Sequence, residues 1–299
     1  GLGDVYKRQV SCSVKHKKTF DYIFNKTEAI TLEQSKLTLS KDITVLSFSD
    51  SSMVDRNSSI IKVDSGWIVY SKNSESSILS FTSDGQFSGY IGHRGNGPGE
   101  YTSVYDVVVN QKSKVLEVLS DGGIFCYTFG GDFLDKKEVT YPAFSFAIDD
   151  RQNYWFYVGN NTTYGDAKMI CTDENIANVA YYLHQKSNML PMVENNFGRN
   201  GEWLTFHESL NHDLYTIENG KLDLSYAMDF PNYKLPKKLH ELSGMEVIEE
   251  LQRSNYASII NYLENHDYIF LNVLLNNEGE RIPEVYYLSL IHISEPTRP

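Results

Sequence analysis

Gly89-Tyr90-Ile91-Gly92-His93-Arg94-Gly95-Asn96-Gly97-Pro98-Gly99-Glu100-Tyr101 is the stretch from which the rest of the chain is best read. Five glycines and one proline in thirteen residues rule out a helix or a central strand. Glycine loses the most backbone entropy on ordering, and proline has no N–H to donate. On either side the chain is β-patterned, over residues 78–87 and 105–118. The expectation is a rigid glycine–proline loop between strands.

Moving outward, the strand-turn-strand unit before this loop recurs after it. Residues 78–87, ILSFTSDGQF, align with residues 124–133, IFCYTFGGDF, at an offset of 46. Ile78 meets Ile124, Thr82 meets Thr128, Gly85 meets Gly131 and Phe87 meets Phe133. Each copy reads as a hairpin turning at its glycine. Each also follows a further strand candidate, residues 67–70 and 115–118. Weaker units follow at 154–158 with 167–171, at 203–206 with 213–217, and at 268–275 with 285–287, and residues 43–48 read as an early strand that completes the ring. A four-stranded unit returning every 40 to 50 residues or so marks a propeller blade. Against this pattern, Leu239, Leu242, Met245, Ile248 and Leu251 fall at helical spacing, and Ser243 to Glu246 has capping-box spacing. A helical insertion is expected within 239–263, starting near Gly244 and running to Asn255 or on to Leu263.

Gly85, Phe87, Ile91, Gly92, Gly95, Gly97, Pro98, Gly99, Glu100 and Tyr101 together resemble the signature of bacterial six-bladed β-propeller lipoproteins, a group of NHL/TolB-like propellers. The resemblance implies an all-β, six-bladed propeller over residues 31–287, of which about five blades are visible. It further implies a monomeric lipoprotein at the periplasm or outer-membrane surface of a Gram-negative, glycan-degrading bacterium. There it would be a non-catalytic module that binds a glycan or a partner envelope protein and is linked to polysaccharide uptake. Two other roles stay open, a structural scaffold within an envelope complex and an enzyme. Some six-bladed propellers, lactonases and esterases among them, hold calcium in the central channel through Asp, Glu and Asn. On that pattern Asp106, Asp149, Asn160 and Asn211 are nominal ligands for a lactonase-, esterase- or lyase-like site, with no other cofactor expected.

The two ends read differently from the middle. Residues 1–9 and 288–299 look like translated adapter sequence and are set apart from the fold, which leaves a chain cut at both ends. Residues 10–30 read as the remnant of a lipobox, with Cys12 as the lipidated residue and a polar tether after it. That anchor would be the chain's sole membrane attachment, since no run of eighteen apolar residues occurs. Cys126 and Cys171 sit in apolar runs and are expected to be buried free thiols.

Composition narrows the function classes. With 39 acidic against 27 basic residues the net charge is −12, so a nucleic-acid partner is not expected, because such proteins need a basic surface. The eight histidines show no His-x-x-x-His grouping and the cysteines no Cys-x-x-Cys, which argues against zinc. There is no Gly-x-Ser-x-Gly elbow, and the sialidase Asp box is not met at Ser83-Asp84-Gly85. Candidate ligand contacts come from two sources. In the glycine loop these are His93, Arg94 and Glu100, beside backbone N–H groups able to form an anion nest; the alternative is a blade junction that they tie together. Among the aromatics Trp155, Tyr157, Tyr164 and Trp203 are candidates for sugar stacking, the alternative being strand residues packed in the core.

Overall fold

A computed structural model of the chain describes residues 22–23, 43–48, 54, 58–72, 77–161, 165–177, 179–184, 195–239 and 241–289. The fold is an all-β propeller, with five sheets arranged in a ring and one short helical insertion. The first blade is β2 (Ser59–Val63), β3 (Gly66–Tyr70), β4 (Ile78–Thr82) and β5 (Phe87–Ile91). A small parallel pair, β6 (His93–Arg94) and β7 (Glu100–Tyr101), lies in the glycine loop after it. The second blade is β8 (Asp106–Asn110), β9 (Val115–Ser120), β10 (Gly123–Tyr127) and β11 (Phe133–Lys137). The third is β12 (Ser145–Ile148), β13 (Tyr154–Tyr157), β14 (Ala167–Thr172) and β15 (Ala180–His184). The fourth is β16 (Phe197–Asn200), β17 (Trp203–His207), β18 (Asp213–Glu218) and β19 (Lys221–Asp229), and β1 (Tyr22–Ile23) runs parallel to its outer edge. After the helix α1 (Met245–Arg253) comes a three-stranded fifth blade of β20 (Tyr256–Glu264), β21 (Tyr268–Asn277) and β22 (Glu280–Ser289).

Blades stack face to face, and each interface holds an apolar cluster. Ile68, Ile78, Leu116 and Tyr127 join the first blade to the second; Leu119, Ile124, Phe146 and Phe156 join the second to the third. Trp155, Met169, Phe206 and Ile217 join the third to the fourth, and Leu214, Ile259, Tyr262 and Leu271 join the fourth to the fifth. Middle strands covered on both faces are accordingly apolar throughout, as in β13, Tyr-Trp-Phe-Tyr, where every residue is buried.

The repeat is preserved in fine detail. In β4–β5 the register shifts between Ser80 and Phe81, and in β10–β11 between Cys126 and Tyr127, equivalent positions of the repeat. Both turns close alike: Gln86 N donates to Thr82 Oγ1 at 3.0 Å, and Asp132 N to Thr128 Oγ1 at 3.1 Å. Gly85 and Gly131 both take positive φ, +90° and +99°, a backbone that glycine adopts without strain. Their lack of a side chain is also used. A Cβ on Gly131 would lie 2.4 Å from the Tyr90 carbonyl oxygen, and one on Gly85 2.1 Å from that of Val45. Residues 43–48 therefore meet the first blade's hairpin as β5 meets the second blade's, with Ser47 N donating to Gly85 O at 2.8 Å.

Several expectations need correction. The helix begins at Met245 and ends at Arg253, and its proposed continuation to Leu263 is instead β20. Ser254 takes an extended conformation, after which Ala257, Ile259, Tyr262 and Glu264 are buried. Half of the capping box forms: the Glu246 carboxylate accepts from Ser243 N at 3.3 Å, while no side chain caps the helix from in front. β22 extends to Ser289, so residues 288 and 289 pair with β21.

Candidate functional site

The glycine loop is closed by its own carboxylate. Glu100 Oε2 accepts from Gly97 N at 2.8 Å, Glu100 N donates to Gly97 O at 3.0 Å, and Gly95 N donates to Tyr101 O at 3.1 Å. A side chain at Gly95 would put its Cβ 1.9 Å from Glu100 Oε2. Tyr101 follows, fully buried, donating to Ile91 O and accepting from Ile78 N, while Tyr127 OH donates to Gly99 O at 3.0 Å. These bonds tie the first blade to the second. Of the three loop candidates, Glu100 is consumed inside the loop; Arg94 donates through Nε to Thr102 O at 3.1 Å, and His93 is exposed. The N–H groups of Gly95 and Gly97 meet the chain's own oxygens, so they form no open nest.

The aromatic candidates divide. Trp155 and Tyr157 belong to the apolar core between the third and fourth blades, with Trp155 wholly inaccessible. Trp155 Nε1 donates to Asp149 Oδ2 at 3.0 Å and Tyr157 OH to Glu208 Oε1 at 2.7 Å. Neither has a face open for sugar stacking, because both sides of β13 are covered. Trp203 opens β17 half-buried, edge-on to the His266 ring at 5.2 Å. Tyr164 and Cys12 lie outside the described residues. Cys126 and Cys171 are buried free thiols, and desolvation pushes each up to about 12.

Many of the tyrosines serve buried carboxylates. Tyr154 donates to Glu117 at 2.8 Å, while Tyr226 (2.9 Å) and Tyr262 share Glu264. Tyr70 reaches Asp106 at 3.3 Å, and Tyr157 joins Lys168 (2.9 Å) on Glu208. A phenol solvates a carboxylate without adding charge, which lets acidic groups be buried between blades. Burial and the adjacent carboxylate raise the phenol pKa of Tyr154, Tyr226 and Tyr262.

The innermost strands β2, β8, β12, β16 and β20 surround a central channel of about 880 Å³. Antiparallel alternation gives the channel two distinct ends. At the end where the chain enters each inner strand, Lys72 Nζ pairs with Asp106 Oδ1 at 2.9 Å, and Phe146 N donates to Asp106 Oδ2 at 3.1 Å. Asp106 thus links three blades. At the opposite end Lys62 lies near the close of β2 and Arg199 near that of β16, where an Arg199 guanidinium N–H donates to the Ile148 carbonyl of the neighbouring blade. Gln111, Asn195, Asn261 and Asn272 add amides to the lining, and Ser59 and Tyr70 add hydroxyls. Of the lining residues only Asp106 was a sequence candidate. The rest sit singly in short strands of different blades, which no local motif marks.

The nominal metal ligands lie in separate parts of the ring. Asp149 accepts from Trp155, Asn153 and Arg151 N; Asn211 donates to Glu208 at 3.2 Å; and Asn160 Oδ1, in the turn after β13, is buried without a partner. Among the described residues no group of three or more His, Cys, Asp or Glu side chains is arranged to hold a metal ion. No helix among them is long and apolar enough to cross a membrane.

Comparison with known proteins finds the fold in other bacterial proteins. The model of the family described as "Domain of unknown function (DUF4934)" matches residues 20–289. A protein described as a "Putative exported protein" from Bacteroides fragilis NCTC 9343 superposes with a TM-score of 0.68 at 15% identity, covering 83% of this chain and 75% of its own. A member of the DUF4221 family from Bacteroides vulgatus ATCC 8482 gives 0.51 at 11% identity, covering 81% and 80%. At such identities the likeness is one of fold. No curated protein matches.

Proposed function

We propose that this chain, which belongs to the DUF4934 family, is a non-catalytic binding module of the cell envelope that takes a soluble glycan into its central channel. The observation that carries this reading is the channel itself. Its volume of about 880 Å³ falls in the range of small-molecule sites, roughly 300–1,000 Å³. Its walls mix aliphatic faces (Ile60, Val107, Leu263) with amides, hydroxyls and charged groups. Sugars need such alternation, because each ring carries apolar C–H faces and a belt of hydroxyls that must find partners. A protein partner would be met by an open apolar face instead.

The envelope location rests on the lipobox reading of Cys12 and is in keeping with the description "Putative exported protein" printed for the B. fragilis protein of the same fold. A role in polysaccharide uptake follows from the same family resemblance. The test is calorimetric titration of the chain with a panel of oligosaccharides, beside an Asn261→Trp variant whose indole fills the channel. Saturable binding of at least one oligosaccharide, lost in the variant, is the expected result. Binding to none, or binding that Asn261→Trp leaves untouched, would remove the channel from consideration.

A further inference from the structure

We infer that the end of the channel bearing Lys62 and Arg199 is an anion site, built to take the carboxylate of an acidic sugar. This rests on the channel-binding reading and specifies its ligand class. Among the described residues the charged groups that line the channel are Lys62, Lys72, Arg199 and Asp106. Lys72 and Asp106 neutralise each other at the entry end, so two cations are left at the other. That imbalance runs against the chain as a whole, whose net charge is −12. Buried carboxylates elsewhere, Glu117, Glu208 and Glu264, are turned into the blade interfaces and satisfied there by Tyr, Lys and Asn donors.

Arg199 has the geometry for the task. One N–H to the Ile148 carbonyl fixes the guanidinium against the adjacent inner strand, and an arginine has five such donors in a planar fork that matches a carboxylate. Arg199 as a residue is exposed, while the protein around its guanidinium partly desolvates it and lowers its pKa, with Asp149 and Asp150 acting in the opposite direction. Neither carboxylate lines the channel. Lys62 supplies a second charge, with Nζ 5.3 Å from the centre of the Trp67 ring. Asn261 and Asn272 pair across β20 and β21 beside the channel and suit the hydroxyls of the same sugar.

The experiment compares trigalacturonate with its methyl ester, which has the same shape and no charge, and uses inorganic phosphate as a second probe. Binding is measured by calorimetry on the full chain and on Arg199→Gln, Lys62→Gln and, outside the channel, Lys234→Gln. The acid should bind at least tenfold tighter than the ester. Arg199→Gln and Lys62→Gln should each weaken the acid about tenfold and leave the ester unchanged, with Lys234→Gln without effect. Having two variants guards against Arg199→Gln loosening the fold, which a thermal melt would reveal. Equal binding of acid and ester, or acid binding indifferent to both variants, overturns the anion site while the channel reading stands. Neutral oligosaccharides binding where the acid does not has the same meaning. Tight phosphate binding with no response to trigalacturonate also overturns it. Silence to every sugar, neutral and acidic, overturns the channel reading itself.

Discussion

At the scale of single residues, two positions carry more than their type suggests. Gly131 and Gly165 both have positive φ, +99° and +85°, but a Cβ at Gly165 meets open space while one at Gly131 meets the Tyr90 carbonyl oxygen. Gly165→Ala should therefore cost only the left-handed backbone penalty, about 1–2 kcal/mol. Gly131→Ala should add a further ~1–3 kcal/mol because the hairpin must be pushed off its neighbour. Urea denaturation of the two variants reads the difference, and equal losses would contradict the close approach. His207 is the second case. Its ring is wholly buried against the backbone near Asn196, Ile259 and Ile260, with neither nitrogen in a hydrogen bond. Desolvation lowers its pKa to about 4, against about 6.5 in an unfolded chain. Below pH 6.5 the unfolded chain binds the proton and the folded chain does not. Stability from this group is thus complete above 6.5 and falls by about 3 kcal/mol as the pH drops to 4. Replacing it in His207→Leu should flatten that part of the wild-type profile, seen as the difference between the two stability curves from pH 7 to 4.

At the scale of elements, blades are held together by apolar clusters with ionic pins set inside them. Lys168 and Glu208 form such a pin between the third and fourth blades, both almost wholly buried and joined by Tyr157 and Asn211. Lys168→Met strands a buried carboxylate and should cost about 3–5 kcal/mol, whereas the double change with Glu208→Leu should recover much of the loss. The exposed pair Lys114–Asp64, at a similar 3.0 Å, should give less than about 1 kcal/mol when Lys114 becomes Ala. Chemical denaturation of all three variants tests the contrast. The same division explains what could be read from sequence. Outer hairpins repeat openly, since Thr82, Gly85 and Phe87 recur as Thr128, Gly131 and Phe133 in matching roles. Inner strands do not. β12 and β16 have four residues each, too short for a period to declare itself. On sequence β20 stays open as a continuation of the helix, since Tyr256, Ile259, Ile260 and Leu263 also fall three and four apart, and a bulge between Ile259 and Asn261 breaks its strand alternation. The channel was illegible for that reason: each inner strand gives it only a few residues, and their convergence is made by the ring. Trp155 and Tyr157 misled in the opposite direction, since an aromatic strand covered on both faces has the composition of a sugar platform.

At the scale of the whole molecule, the ring is unevenly supported. The second and third blades are each clasped by apolar clusters on both faces. The fifth joins the fourth through one cluster, and no apolar cluster among the described residues joins it to the first. Its β21 shows the asymmetry residue by residue: Ile269, Leu271 and Val273 are buried toward the fourth blade, while Tyr268, Phe270 and Leu274 between them are only half-buried. A blade held on one side can open without the ring unfolding, because the clusters between the other blades stay intact. Native-state hydrogen exchange should therefore find β9, β10, β13 and β14 exchanging only by global unfolding. Most amides of β20–β22 should exchange at a lower free energy and with a smaller denaturant dependence. A ligand that bridges β20 to β2 and β16 across the channel would clasp the fifth blade from its open side. Trigalacturonate should then slow exchange in β20–β22 more than in β9 or β10. Uniform protection across all five blades, with or without the sugar, would show that the fifth blade unfolds with the rest.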